Sequence, residues 1–156
     1  MKTKIIMILI TIAIVAFVIF AALGSTNQDN IDLGEIVFEE GIVNIYYFWG
    51  DGCPRCAEQN EFFLSIEDEL GEYFNLYKFE VWHNEENARL LGQVADLLDK
   101  TVSGVPFTII GDQTFTGFAS RMEDDMKNAI RAQVDNEFDG LRLLIESEYY
   151  ESLFSN

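Results

Sequence analysis

A strand that leads directly into a pair of cysteines is the feature that most constrains the fold of this chain. Residues 42–49 read IVNIYYFW and are β-branched or aromatic apart from Asn44, which is typical of a strand buried on both faces of a sheet. Gly-Asp-Gly ends the strand, and Cys53-Pro54-Arg55-Cys56 follows. A helical spacing of three and four then runs through Cys56, Asn60, Phe63, Ile66 and Leu70. The cysteines are therefore predicted at a strand-to-helix junction, with Pro54 in the first turn, where a missing N–H is tolerated.

The remainder of the chain continues the alternation of strand and helix patterns. Residues 76–81 alternate and predict a second strand, with Lys78 and Glu80 on one face and Tyr77, Phe79 and Val81 on the other. Residues 85–100 predict a helix with an apolar stripe through Ala88, Leu91, Ala95 and Leu98.

The C-terminal third predicts a hairpin followed by two helices. Strands at 107–110 and 114–116 flank a tight Gly-Asp turn. Ser120 opens a helix in capping-box form, and residues 141–154 form one more helix. The order β-α-β-α-β-β-α plus a helix predicts an α/β protein with a mixed sheet, antiparallel at one edge and covered by helices on both faces.

The N-terminus is unlike the rest of the chain. Residues 5–23 carry no charge, and Thr11 is their only polar residue. A helix of this length approaches the ~30 Å thickness of a hydrocarbon core and exceeds the ~7–15 residues usual for a signal-peptide core. We therefore interpret residues 1–24 as a membrane anchor, with a cleaved signal peptide as the less favoured alternative. The rest divides into a linker at 25–30, a domain at 31–137 and a helical extension at 138–156.

Charge predicts the orientation and limits the partners. Lys2 and Lys4 precede the apolar span, whereas the first charges after it are acidic and the first basic residue is Arg55. The positive-inside rule then places the N-terminus in the cytoplasm and the domain outside, as a single-pass protein of the cell membrane. Disulfides persist in such a compartment. The net charge of −17 argues against nucleic acid as a partner.

The Cys53/Cys56 pair admits several chemical uses. Zinc needs at least three protein ligands, and the chain offers these two cysteines and His83 as its only histidine. A copper relay through both thiols and His83, a structural disulfide and two inert thiols are further alternatives. Thiol–disulfide exchange is favoured, because a helix N-terminus and Arg55 both stabilise the reactive thiolate. Cys53, before the first turn, is expected to be exposed and to attack the substrate, and the inward-facing Cys56 to resolve the mixed disulfide.

Three segments carry a resemblance to a known family. With YYFWGDGCPRC after a buried strand, GVPFTII before a hairpin and FTGF after it, residues from about 35 to 135 resemble membrane-anchored thioredoxin-like proteins. The resemblance implies a thioredoxin fold and an extracytoplasmic thiol–disulfide oxidoreductase. Such a protein acts on protein thiols and disulfides, exchanges electrons with a redox partner protein, and uses no cofactor besides its dithiol. Pro106 would be the family's cis-proline, Val105 would offer its backbone to a substrate strand, and Trp49 would be the aromatic residue before the active-site loop.

The chain also departs from the family pattern. Many relatives bury a carboxylate where this chain has Tyr47, and a buried acid assists deprotonation of the resolving thiol. Glu80 is a candidate substitute, and Asp51 is interpreted as a turn residue. Lys78 matches a lysine beneath the active site in some relatives, with a solvated position on its strand as the equal alternative.

The sequence leaves open one alternative function and the direction of electron transfer between the cysteine pair and its substrates. A thioredoxin-like copper-binding or chaperone module, or an accessory protein for a secreted disulfide-bonded peptide, is the alternative. Arg55 and Pro54 favour an oxidising or isomerising pair, since an acidified Cys53 stabilises the dithiol.

Overall fold

A computed structural model gives the structure of residues 33–136 and 138–154. The predicted anchor at 5–23 and the linker at 25–30 lie outside these residues. None of the helices formed by residues 33–136 and 138–154 combines the length and the apolar character needed to cross a bilayer.

The central element is β1, which pairs with a strand on either side. In chain order the elements are β1 (Val43–Trp49), α1 (Pro54–Ser65), α2 (Glu67–Leu70), β2 (Phe74–Glu80), α3 (Glu85–Leu97), β3 (Phe107–Ile110), β4 (Gln113–Thr116), α4 (Glu123–Gln133) and α5 (Gly140–Phe154). The sheet has the order β2-β1-β3-β4. β1 is parallel to β2 and antiparallel to β3, and β3 is antiparallel to β4. This is a thioredoxin-like α/β fold, so the predicted class and the mixed sheet are confirmed.

Helices cover both faces of the sheet, because successive side chains of β1 point to opposite sides. Ile45 and Tyr47 belong to a cluster that includes both cysteines and residues of α1 and α4. We call this side the cysteine face. Tyr46 and Phe48 belong to a second cluster with residues of α3 and α5, which we call the opposite face. The described part of the C-terminal extension thus packs on the domain.

The helix predicted over 85–100 is confirmed at Leu91 and Ala95, which are buried, but it is wrong at Ala88 and at its end. Ala88 is exposed, whereas Asn87, Leu90, Leu91, Val94 and Ala95 are buried. The start is fixed by Asn84, whose side chain accepts hydrogen bonds from two backbone N–H groups of the first turn. The end comes early because Asp99 adopts a left-handed φ of 52° and the N–H of Lys100 bonds to the carbonyl of Ala95.

Two other boundaries differ from the sequence prediction. Helix α1 ends at Ser65 and Ile66 joins it to α2, so the stripe from Cys56 to Leu70 spans two helices. The capping box at Ser120 does not form. Ser120–Met122 is a 3-10 turn ahead of α4, and neither the N-cap of this turn nor the N-cap of α4 has a side-chain hydrogen bond.

Candidate functional site

Cys53 and Cys56 lie where β1 gives way to α1, as the sequence predicts. Cys53 is the N-cap of α1, Pro54 is its first residue and Cys56 lies in its first turn. The two cysteines form a disulfide across a Cα–Cα distance of 5.2 Å. The Cys53 Sγ also accepts a hydrogen bond from the backbone N–H of Cys56 at 3.2 Å. A helix N-terminus and a directed N–H donor both favour negative charge on this sulfur.

The expectation that Cys53 is exposed is wrong for this disulfide-bonded structure. Cys53 has 8% of its surface exposed and Cys56 has 3%. Both belong to the cluster of the cysteine face, and Val105 packs against that cluster. The Cys53 side chain turns back towards its own helix, where the bond to Cys56 holds it. Cys53 nevertheless remains the more exposed of the two cysteines.

The loop between β1 and α1 is tightly folded. The N–H of Cys53 donates to the carbonyl of Gly50 at 3.1 Å. Gly52 has a φ of +75°, a conformation that favours glycine. Gly50 is buried beneath Trp82, and a Cβ at Gly50 would overlap the indole ring. Trp82 was not identified from the sequence, because its contact crosses from the loop after β2 to the loop after β1.

Trp82 combines this contact with high exposure. Its side chain covers Gly50, yet 55% of the residue remains exposed to solvent. The pairing of the strands brings the two loops together, since Trp49 at the end of β1 is opposite Glu80 at the end of β2.

The positive charge between the cysteines is paired. Arg55 is exposed, and its Nη1 lies 2.7 Å from the Oε2 of Glu58, one turn along α1. The sequence prediction gave Arg55 a full charge beside Cys53. Because Glu58 shares that charge, the effect of Arg55 on the Cys53 thiolate is smaller than we expected. Pro54 is also exposed and occupies the first turn as predicted.

The Val105–Pro106 peptide bond is cis, which is the isomer that the resemblance implies. Pro106 is buried, and its carbonyl accepts a hydrogen bond from the N–H of Gly117 at 2.7 Å. Val105 is half-buried against the cluster that contains Cys53 and Cys56. Val105, just ahead of β3, therefore lies on the cysteine face.

Trp49 and Lys78 lie beneath the same region. Trp49 is half-buried and packs against the cysteine-face cluster. Lys78 is opposite Tyr47 in the parallel register and is also half-buried. Its Nζ donates a hydrogen bond to the Oδ1 of Asn60 on α1. Lys78 is thus half-buried on the cysteine face and bonded to α1, rather than solvated on its strand.

The interior next to Cys56 is built from neutral polar groups. Tyr47 is buried, and its hydroxyl donates to the carbonyl of Cys56 at 2.7 Å. Burial raises the pKa of Tyr47 above its ordinary value, so the phenol stays protonated at neutral pH. Gln59 is also buried, and its Nε2 donates to the Oγ1 of Thr108 at 2.7 Å. The Oε1 of Gln59 has no hydrogen-bond partner among the described residues.

Gln59 and Thr108 were not among the predicted site residues. Gln59 is three residues after Cys56, so its place on the same helix face was a signal that could have identified it. No comparable signal marked Thr108, because residues 59 and 108 are distant in the sequence and meet only in the folded protein.

Glu80 does not fit the predicted role of a proton acceptor. Its carboxylate accepts hydrogen bonds from the backbone N–H groups of Asp51, Trp82 and His83, at 3.1, 3.0 and 2.8 Å. Burial acts to raise the pKa of Glu80, but these bonds, led by that from His83, outweigh it and lower the pKa below its ordinary value. A carboxylate held ionised in this way is a poor base for a thiol. The side chain of Asp51 belongs to an exposed turn, as predicted.

Metal ligation has no geometric support in the described part of the chain. Across residues 33–136 and 138–154, no group of three or more His, Cys, Asp and Glu side chains is placed to hold a metal ion.

The fold and the site together define a thioredoxin-like domain with a Cys-Pro-Arg-Cys disulfide at a helix N-terminus and a cis-proline ahead of β3. No family model matches the chain, and no curated protein sequence is significantly similar to it.

Three solved structures illustrate what the fold resembles. A thioredoxin-like protein from Clostridium perfringens is 22% identical, with a TM-score of 0.48 over 69% of this chain and 84% of its own. A Chlorobium tepidum protein described as the thiol:disulfide interchange protein DsbE is 15% identical, with a TM-score of 0.47 over 61% and 82%. A glutaredoxin from Archaeoglobus fulgidus is 20% identical, with a TM-score of 0.41 over 67% and 98%. At these low values the likenesses carry no argument about activity, which depends on the geometry of the site.

Proposed function

We propose that the protein is a thiol–disulfide oxidoreductase that exchanges disulfides with protein substrates through Cys53 and Cys56. The observation that carries this proposal is the disulfide at the N-terminus of α1, with the N–H of Cys56 directed at the Cys53 Sγ. A purely structural disulfide is a weaker explanation, because a bridge over so short a loop constrains the unfolded chain least.

In the oxidising direction, a substrate thiolate attacks the Cys53 Sγ and breaks its bond to Cys56. The electron pair of that bond goes to the Cys56 sulfur, which takes up a proton. A second substrate thiolate then attacks the substrate sulfur of the mixed disulfide, and Cys53 leaves as a thiolate. The substrate loses two electrons and the pair gains them. We assign the attack to the sulfur of Cys53, since Cys53 is the more exposed residue of the two.

In the reducing direction, the Cys53 thiolate attacks a substrate disulfide and Cys56 resolves the mixed disulfide. The N–H of Cys56 stabilises the attacking thiolate. Tyr47, which bonds to the carbonyl of the resolving cysteine, and Gln59, one turn after it on α1, are both neutral, so neither supplies a buried acid to assist loss of the Cys56 proton. We favour oxidation or isomerisation, because stabilisation of the thiolate makes the disulfide more oxidising.

The setting of the reaction is part of the proposal. We propose that residues 5–23 anchor the protein in the cell membrane as a single span, with the domain outside the cytoplasm. A redox partner protein would restore the pair after each turnover, and no cofactor besides the disulfide is needed. The half-buried Val105, which packs against the cluster that contains both cysteines, supports a role for this residue in contacting a substrate strand.

Replacement of each cysteine by serine in the full chain tests the proposal. Cys56→Ser should accumulate mixed disulfides through Cys53, because the resolving thiol is missing, while Cys53→Ser should accumulate few. The adducts are counted on non-reducing gels and located by mass spectrometry. If Cys53→Ser accumulated mixed disulfides and Cys56→Ser did not, the assigned roles of the two cysteines would be reversed. A chain that forms no adduct and transfers no electrons, yet retains copper(I), would favour the copper-binding alternative.

A further inference from the structure

Glu80 lies where the loop after β2 meets the loop after β1, which leads to Cys53. It is the last residue of β2 and is opposite Trp49, the last residue of β1. Only 6% of the residue is exposed. A carboxylate in such a place is costly unless its oxygens are hydrogen-bonded. Its three partners are therefore central to what this residue does.

The carboxylate bridges one loop to the other. Its Oε1 accepts from the N–H of Asp51, two residues before Cys53, and from the N–H of Trp82. Its Oε2 accepts from the N–H of His83. The carbonyl of Glu80 accepts from the side chain of Asn87, which ties the same strand end to α3.

Trp82 reinforces the bridge from the outside. Its indole ring covers Gly50 so closely that the site has no room for a Cβ. The peptide of Asp51 follows directly after Gly50, so the ring and the carboxylate of Glu80 hold adjacent parts of one loop. That loop ends at Cys53, whose N–H bonds back to the carbonyl of Gly50.

We propose that Glu80 is a positioning residue for disulfide exchange, whose carboxylate fixes the loop at residues 50–53 and so keeps the Cys53 sulfur aligned with the N–H of Cys56. This inference rests on the proposed function and adds to it a residue that acts through its bonds to the backbone of Asp51, Trp82 and His83 rather than through a cysteine. The alignment matters because the N–H donor stabilises the Cys53 thiolate only while it is directed at the sulfur.

The charge of Glu80 and its positioning role have opposite effects on Cys53. Removal of a nearby negative charge favours the thiolate and lowers the pKa of Cys53. Loss of the alignment removes a hydrogen bond to the thiolate and raises that pKa. The sign of the change therefore separates the two effects.

Two variants of Glu80 and one control exploit this difference in the full chain, solubilised in detergent and reduced. Glu80→Gln removes the charge and replaces one acceptor by a donor, and Glu80→Asp keeps the charge but shortens the side chain. Glu85→Gln removes an exposed negative charge that lines a surface cavity together with Trp49 and Glu80. Iodoacetamide labels Cys53 over a range of pH, and mass spectrometry measures the rate at each.

Both Glu80 variants should react about tenfold more slowly at pH 7, with the pKa of Cys53 raised, while Glu85→Gln reacts as fast as the natural chain or faster. A lowered pKa in Glu80→Gln, or an unchanged profile in both folded Glu80 variants, would overturn the proposal. A loss of stability alone, with an unchanged labelling profile, would assign Glu80 a merely structural role and also overturn it.

Amide hydrogen exchange keeps the proposal testable if both variants fail to fold. In the natural chain the N–H groups of Asp51, Trp82 and His83 should be protected, and exchange at the rate of an unfolded chain would contradict the bridge. The labelling needs no protein substrate, so it is independent of the proposed function. If the natural chain exchanged no disulfide with thiols, the proposed function would be wrong. If the Glu80 variants carried out thiol–disulfide exchange at the natural rate, only the proposed role of Glu80 would be wrong.

Discussion

Tyr46 and Tyr47 are neighbours in β1, yet they serve opposite faces of the sheet. The hydroxyl of Tyr46 donates to the Oδ2 of Asp139 at 2.6 Å, just before α5, and that of Tyr47 donates to the carbonyl of Cys56 at 2.7 Å, in the first turn of α1. Each buried phenol thus ties the start of a helix to the sheet. The partner of Tyr46 is a carboxylate remote from the disulfide, and the partner of Tyr47 is the backbone of the resolving cysteine.

The comparison assigns stability to one face and reactivity to the other. Asp139 also accepts the N–H groups of Leu141 and Arg142 through its Oδ1 and a hydrogen bond from the side chain of Asn44. It therefore caps α5 and joins it to β1 at once.

Asp139→Ala should have the largest effect on folding. The change removes the N-cap of α5 and leaves the hydroxyl of Tyr46 without its acceptor. We expect a loss of about 3 kcal/mol in the free energy of unfolding of the full chain. Urea unfolding measures it, with Asp135→Ala, an exposed acid nearby, as the control.

The same variant should leave the pKa of Cys53 unchanged, because the two faces are separated by the sheet. If Asp139→Ala lowered the free energy of unfolding by less than about 0.5 kcal/mol, as ordinary surface substitutions do, the division between the two faces would be wrong. A shifted labelling profile for Cys53 would break it too.

Tyr47→Phe should have a smaller effect on stability and a specific effect on exchange. The carbonyl of Cys56 loses its buried donor, which costs about 1 kcal/mol. The first turn of α1 is then held less firmly, so release of product from the mixed disulfide should slow by roughly fivefold. Stopped-flow measurement of the two exchange steps checks this, with Tyr46→Phe as the matched control. If Tyr46→Phe slows resolution as much as Tyr47→Phe does, the division between the faces is wrong.

The smallest expected effect is the loss of stability at alkaline pH that follows from burial of the two tyrosines. Burial raises the pKa of both phenols above 10.0 in the folded protein, and for Tyr46 the carboxylate of Asp139 adds to the shift. A raised folded pKa means that stability is complete below the unfolded value near 10 and is lost as the pH rises beyond it, because the unfolded chain ionises first.

Ionisation of each tyrosine in the unfolded chain should therefore lower the free energy of unfolding by about 1 kcal/mol between pH 10 and pH 11. Tyr46→Phe and Tyr47→Phe should each reduce this loss by that amount, and the double variant by the sum. Unfolding measured at the two pH values decides the matter, and a loss that neither substitution reduces would show that other groups govern the alkaline range.

The sequence predicted the parts of this architecture that depend on local patterns. The run before Cys53 identified β1, because a strand buried on both faces needs a nearly continuous apolar sequence, here broken only by Asn44. The helical spacing after Cys56 identified α1 and the inward side of the resolving cysteine. The cis bond before Pro106 came from the family resemblance rather than from the residues themselves.

The remainder depends on contacts between segments that are distant in the chain. Glu80 looked like a candidate acid because its pattern shows a polar residue on the cysteine face. The pattern cannot show that three backbone N–H groups meet its carboxylate. Trp82 covers Gly50 only because β1 and β2 end side by side, and the exposure of Cys53 depends on how the disulfide turns its side chain.

The redox equilibrium of the full chain with glutathione tests the central claim most directly. If Cys53 and Cys56 form a working redox pair, the disulfide should open and close reversibly by two electrons. Its reduction potential should lie above the value of about −270 mV that is typical of thioredoxin. A value near that of thioredoxin would contradict the oxidising direction, and a disulfide that does not equilibrate with glutathione at all would contradict the claim that this pair is the active site.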